Sequence, residues 1–167
     1  METLVPPDTH HISAAIGWLE LGNPAEAIAE LQKITPALQQ HPEVLEVRWQ
    51  LFAEQKKWAD CLEVAKTLVR VAPQRPSGYI HRSYALRRIE GGGLEAARAA
   101  LSEALSKFPK EPIIPYNLAC YECQLGNLQE ALVLFSRAVA VGDAKSLKLM
   151  ALNDPDLKPL WTEIGRL

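Results

Sequence analysis

The amino-acid sequence predicts an all-α fold, a solenoid of antiparallel helical hairpins, and three observations indicate it. Turn signals recur along the chain at spacings of 34, 36 and 34 residues. Around each turn signal the apolar residues follow a helical period, and the alternation typical of strands is missing. Prolines then mark the end of each unit, because proline cannot continue a helix interior. Each unit therefore consists of a helix, a tight turn, a second helix and a proline stop.

The turn signals are followed at a constant distance by small side chains. The signals are Gly22-Asn23, Lys56-Lys57, Gly92-Gly93 and Gly126-Asn127. Five residues after the first residue of each signal stand Ala27, Cys61, Ala97 and Ala131. Because the two helices of a hairpin cross closely, we expect these small residues at the crossing point. The matching positions of the first helices hold Ala15, Ala85 and Ala119, but the second unit has Trp49. That helix is therefore rotated, or Trp49 fills space left by neighbouring units.

The spacing predicts one domain over residues 1–167 with four hairpins and a C-terminal cap. We place the hairpins at about 9–41, 43–75, 77–111 and 113–142, and the capping helices at 144–167. In the first hairpin, the apolar phase predicts one helix over 25–38 after the turn. Near the C-terminus, Asp154 is expected to cap a helix that has Pro155 at its first position.

The last segment of the chain has an apolar face of its own, formed by Leu157, Leu160, Trp161 and Ile164. Stacked helical repeats expose a hydrophobic end, which a terminal capping element must cover. We therefore interpret this segment as a cap. The alternative is that Trp161 and Leu167 dock on a partner or fold back into a groove.

These units resemble the tetratricopeptide repeat (TPR), which has about 34 residues per unit. The clearest matches are Leu21-Gly22-Asn23 with Glu26-Ala27, and Tyr116-Asn117-Leu118-Ala119 with Leu125-Gly126-Asn127 and Glu130-Ala131. The resemblance covers about residues 9–142, and the C-terminal segment is similar to the end of many bacterial TPR chains. It implies a TPR-like right-handed superhelix.

The resemblance also implies a concave groove, lined by the first helix of each hairpin, that binds a peptide or an amphipathic helix. By phase, the groove residues are Ile12, Ile16, Leu19, Glu46, Gln50, Tyr79, Arg82, Leu86, Tyr116, Asn117 and Cys120. Apolar and aromatic side chains with arginine are typical of interaction surfaces. The alternative is that these side chains pack between units. TPR cochaperones that bind acidic chaperone tails carry Lys and Asn where this chain has Ile12 and Ile16, so that ligand is not expected.

Composition and charge exclude several classes of function. The net charge of −2 and the lack of a basic stripe argue against nucleic-acid binding. No apolar stretch approaches the length of a membrane span, and the first residues lack the features of a secretory signal. Three cysteines, an odd number in a chain without that signal, are expected to be reduced thiols of a cytoplasmic protein.

No pattern of residues predicts an enzyme, a metal site or a cofactor. Cys120-x-x-Cys123 lies inside a predicted helix rather than at a helix N-terminus, where the dipole would activate a thiol. As a zinc site it lacks a second cysteine pair. We therefore expect a protein-interaction module, a scaffold or chaperone-like adaptor. The alternative is a self-associating structural protein, such as a homodimer, that uses the groove or the C-terminal helix as its interface.

Overall fold

The computed structural model describes residues 3–166, and every regular element within that range is helical. This confirms the predicted all-α fold. The α-helices are α1 (Asp8–Glu20), α2 (Pro24–Lys33), α3 (Pro42–Glu54), α4 (Trp58–Val71), α5 (Ser77–Arg88), α6 (Leu94–Ser102), α7 (Ala104–Lys107), α8 (Ile113–Gln124), α9 (Leu128–Val141), α10 (Ala144–Ala151) and α11 (Trp161–Arg166). Two 3-10 turns lie at Pro36–Leu38 and Pro155–Leu160. None of the helices in this range is long and apolar enough to cross a bilayer.

The chain divides into two compact units within α5, between His81 and Arg82. The N-terminal unit has an apolar core from α1, α2 and α3, in which Ala15, Ala27 and Val44 are completely buried. In the C-terminal unit, Ile114 and Phe135 are completely buried. The single domain expected over residues 1–167 stays a prediction.

In the first hairpin, the second helix begins where the sequence predicts but ends earlier than predicted. The Asn23 side chain accepts a hydrogen bond from the Glu26 backbone N–H, and Pro24 stands at the first helical position. The continuous helix predicted over 25–38 is wrong, because α2 ends at Lys33. Pro36 has no N–H for an interior helical bond and its ring clashes with the preceding turn, so the chain continues as a 3-10 turn.

The second hairpin turns without glycine, and Lys56 adopts the left-handed conformation in its place. Its φ is +56°, the same region as Gly22 (+71°) and Gly126 (+85°) in the equivalent turns. A lysine in this region is strained by its Cβ, whereas glycine is not. The turn is therefore formed by the tertiary contacts of α3 and α4 rather than by the local preference of its residues.

Within the C-terminal unit, the last segment is anchored by buried apolar side chains. Leu157, Leu160 and Ile164 are buried, and Trp161 Nε1 donates to the Ala151 carbonyl at 2.9 Å. The Asp154 side chain accepts from the Asp156 N–H at 3.0 Å, as a cap does. Leu167, which is expected to dock on a partner together with Trp161 if the segment is not a cap, lies outside the described residues.

We predict that Lys56→Gly raises the free energy of unfolding by about 0.5 kcal/mol, measured by urea denaturation. Relief of left-handed strain, about 1–2 kcal/mol, exceeds the extra entropy that glycine loses on folding. Lys57→Gly is the matched control, because Lys57 has an ordinary φ of −82° and gains no such relief. Equal destabilisation by both changes would contradict this explanation of the turn.

Candidate protein-binding surface

In the N-terminal unit, the predicted groove residues separate into core and surface. Ile12, Leu19 and Tyr79 are buried, with 7%, 3% and 5% of their surface exposed. The Tyr79 hydroxyl donates to the Pro73 carbonyl at 3.3 Å. Ile16 is 37% exposed, and Gln50 is exposed as well. Both residues stand six positions before a turn signal, so they occupy equivalent repeat positions on α1 and α3, two helices that contact each other. These two exposed positions are called the exposed first-helix face below.

Glu46, the remaining groove residue of α3, forms a hydrogen-bonded network with the start of α5. The Ser77 hydroxyl donates to Glu46 Oε1, and His81 Nε2 lies 2.6 Å from Glu46 Oε2. The His81 ring stacks on Trp49 with ring centroids 3.9 Å apart and planes 8° from parallel. The large Trp49 side chain, unexpected at this repeat position, therefore packs on the next helix of the unit.

The Glu46 network has the residue types of a hydrolytic triad but not its connections. In such a triad the histidine contacts the serine hydroxyl and removes its proton. Here Ser77 and His81 both bind the carboxylate of Glu46 instead. Burial raises the pKa of Glu46, but the hydrogen bonds from His81 and Ser77 outweigh it, and the pKa lies below its ordinary value. The network therefore stabilises a carboxylate and does not activate a hydroxyl.

In the C-terminal unit, the buried groove residues of α8 bind the chain's own C-terminal segment. The Tyr116 hydroxyl donates to Asp154 Oδ2 at 3.0 Å, and the Cys120 thiol approaches the same oxygen at 3.5 Å. Gln124 Nε2 donates to the Asp156 carbonyl at 2.9 Å. Tyr116, Cys120 and Gln124 of α8 are thus all in contact with segment 154–156.

Arg87 holds the same segment from α5. Its Nη2 donates to Asp156 Oδ1 at 2.8 Å and its Nη1 donates to Oδ2, which makes a bidentate pair. The hydrogen bond to Asp156 raises the pKa of Arg87. The segment is therefore recognised through both of its carboxylates, and a bidentate arginine pair adds geometric specificity. Arg87 was not among the predicted groove residues, since no local pattern pairs it with an acid so far along the chain.

The other groove residues of this unit are half-buried. Arg82 Nη2 donates to the Ala100 carbonyl at 2.8 Å and pairs with Glu103, so its charge is bound within the third hairpin. Leu86 and Asn117 are half-buried on α5 and α8. The groove assignment as a whole stays a prediction.

The thiols and acids of this unit are arranged for structure rather than for chemistry. Burial raises the pKa of Cys120, with a further contribution from Asp154, and burial also raises the pKa of Cys123. Both thiols are therefore protonated at neutral pH, whereas a reactive cysteine needs a thiolate. Cys120, Asp154 and Asp156 have ligand atoms within 4.8 Å of one another, as metal ligands do. However, Arg87 and Tyr116 already bind these carboxylates.

We predict that Glu46→Gln lowers the free energy of unfolding at pH 7 by about 1.5 kcal/mol, the usual contribution of a hydrogen-bonded charge. Because the folded-state pKa of Glu46 lies below its ordinary value of 4.5, this stabilisation is complete above that pH. It is lost as the pH falls through the folded-state pKa. Urea denaturation at pH 7 and pH 3 should therefore show a smaller difference between wild type and Glu46→Gln at the lower pH.

The exposed residue Glu43, on the same helix, provides the control. Glu43→Gln should change stability by less than about 0.5 kcal/mol at either pH, as surface substitutions do. A difference between wild type and Glu46→Gln that stays constant from pH 7 to pH 3 would contradict the network described above.

Solved structures with the same fold include several TPR proteins. The chain matches TTC0263, a thermophilic TPR protein of Thermus thermophilus, with 22% identity and a TM-score of 0.71 over 95% of this chain and 84% of that one. It also matches MamA (41-end) of Desulfovibrio magneticus RS-1, with 18% identity and a TM-score of 0.66 over 80% and 75% of the two chains.

The amino-acid sequence, unlike the fold, matches no family model and no curated protein. The likeness to the solved structures is one of fold, because the identities are low. The chain has the fold of the tetratricopeptide-repeat proteins, an α-solenoid of antiparallel helical hairpins, as the sequence predicts.

Proposed function

We propose that this protein is an interaction module that binds a peptide or amphipathic helix of another protein on the exposed first-helix face of its N-terminal unit. The observation that carries the proposal is the difference between the two units. Ile16 and Gln50 are exposed on α1 and α3, whereas Cys120, at the equivalent position of α8, is buried and its thiol lies 3.5 Å from Asp154 Oδ2. A partner segment therefore finds an open surface in the N-terminal unit.

The fold supports a binding role, because helical-repeat proteins use such faces to hold peptides and helices. The buried, protonated thiols and the hydrogen-bonded Glu46 support binding rather than catalysis. We propose a scaffold or chaperone-like adaptor that needs no cofactor or metal. Its net charge of −2 favours protein partners over nucleic acid. Three unpaired cysteines suit the reducing cytoplasm as its location.

The proposal is tested by affinity capture from the native lysate with the Ile16→Glu variant. A charge in the middle of the contact leaves a desolvated carboxylate without a partner, so capture of the specific partner should fall at least tenfold. The control is Val133→Glu, which places the same charge on an aliphatic residue of α9 that is 54% exposed. Tyr79 and Tyr116 are unsuitable for this test, because both are buried and their truncation would destabilise the fold. Equal capture by wild type and Ile16→Glu would contradict the site.

A second candidate function, self-association, is favoured by one observation on α10. Leu149 is 64% exposed, and Met150 and Leu152 are about 40% exposed beside it. An apolar patch of this kind at the end of a repeat stack is suited to a second copy of the chain.

Self-association through α10 predicts a dimer mass by analytical ultracentrifugation at micromolar concentration. The Leu149→Glu variant should then be a monomer, and Val133→Glu should remain a dimer. A monomeric wild type across the concentration range would exclude this second function and leave the first intact.

A further inference from the structure

A small apolar cavity opens on the N-terminal unit between α2, the 3-10 turn that follows it, and α3. Its volume is about 210 Å³. Ile28 and Leu31 of α2 line one side, and Leu51 and Phe52 of α3 line the other. Small-molecule pockets usually measure about 300–1,000 Å³, so this cavity suits one apolar side chain rather than a whole ligand.

The cavity lies on a different surface from the first-helix face of α3. Successive helical residues are about 100° apart around the axis, since 3.6 residues make a turn. Positions 48 and 52, which line the cavity, therefore lie on the side of α3 opposite to Glu46 and Gln50. A partner bound here does not need the surface proposed above for Ile16 and Gln50.

Arg48 lines the cavity with a charge that has no acidic partner. Its Nη1 donates to the Gln39 carbonyl at 3.3 Å, and its Nη2 donates to the Gln39 side-chain oxygen. Among the ion pairs of residues 3–166, none includes Arg48. Burial lowers its pKa, so the guanidinium is partly desolvated without a carboxylate to compensate. Desolvated charges are normally paired.

The guanidinium is also held in place. Gln39 Nε2 donates to the carbonyls of Leu31 and Ile34 at 3.0 and 2.8 Å, which fixes the amide that binds Arg48. Two of the five N–H groups of Arg48 bind Gln39, and the others have no acceptor within residues 3–166. A fixed arginine with free donors is pre-organised for a carboxylate, because little side-chain entropy is lost on binding.

We propose that this cavity is a second protein-binding site, for a partner segment in which an apolar side chain stands next to an acidic one. The apolar side chain enters the space between Ile28, Leu31 and Phe52. The neighbouring carboxylate accepts hydrogen bonds from Arg48 at the rim. Arginines, and side chains that fill well-packed pockets, usually contribute most of the binding energy at protein interfaces.

The test uses two dipeptides with the full chain, N-acetyl-Leu-Glu-amide and its neutral counterpart N-acetyl-Leu-Gln-amide. Titrations followed by ¹H–¹⁵N NMR should shift the backbone signals of Ile28, Leu31 and Phe52. The acidic peptide should bind at least fivefold more tightly than the neutral one at low salt. Raising the salt should reduce this preference, because the charge lies at the rim where ions screen it.

The Arg48→Met variant keeps an apolar stem against the cavity and removes the charge. It should bind both peptides equally, at the affinity that wild type shows for the neutral one. Arg70→Gln is the matched control, because Arg70 is exposed on α4 and its Nη2 donates to Gln40 outside the cavity. This control should retain the full preference for the acidic peptide, and so should Ile16→Glu, which alters only the other surface.

Three results would overturn the proposal. The first is that neither peptide shifts the signals of the cavity residues. The second is that wild type binds both peptides equally, a comparison that needs no variant to fold. The third is that Arg48→Met, with an unchanged circular-dichroism spectrum, keeps the preference. The effect of Ile16→Glu on lysate capture tests the exposed first-helix face and does not depend on any of these three results.

Discussion

Each hairpin depends on a close crossing of its two helices, and at least one small side chain stands at every crossing. In the second helices Ala27, Cys61, Ala97 and Ala131 are all completely buried. In the first helices so are Ala15, Ala85 and Ala119. A larger side chain at any of these points would push the helices apart, because well-packed interiors have no room for extra volume. The crossing therefore sets which face of each first helix is left for other contacts.

The two units use that remaining face in different ways. In the N-terminal unit it carries Ile16 and Gln50 at the surface. In the C-terminal unit, Tyr116 and Gln124 bind segment 154–156, and the buried Leu157 behind it anchors that segment. Displacing the segment would expose the anchors that follow it, at a cost of about 2 kcal/mol for each fully buried side chain. This difference directs the proposed partner to the N-terminal unit.

Most of the carboxylates and thiols described above are bound by neighbouring groups of the fold. Glu46 is bound by Ser77 and His81, and the thiol of Cys120 approaches the carboxylate of Asp154. Arg48 is different, since its only partners are the neutral groups of Gln39. Because these partners are neutral, the positive charge of Arg48 can still pair with a carboxylate of a ligand. The contrast between these groups is the reason to place a second binding site at Arg48.

The amino-acid sequence is enough to predict the fold, because helical period, turn residues, small crossing residues and proline stops are local signals that agree with one another. It also identified Asp154 as a cap, a contact within a few residues. The exposure of the predicted groove residues depends on helix packing: Ile16 and Gln50 lie at the surface, while Tyr79 and Tyr116 are buried. Helix packing also brings Arg87 next to Asp156, which is 69 residues away in the sequence. Such contacts depend on how the helices pack, and no periodic pattern in the sequence encodes that packing.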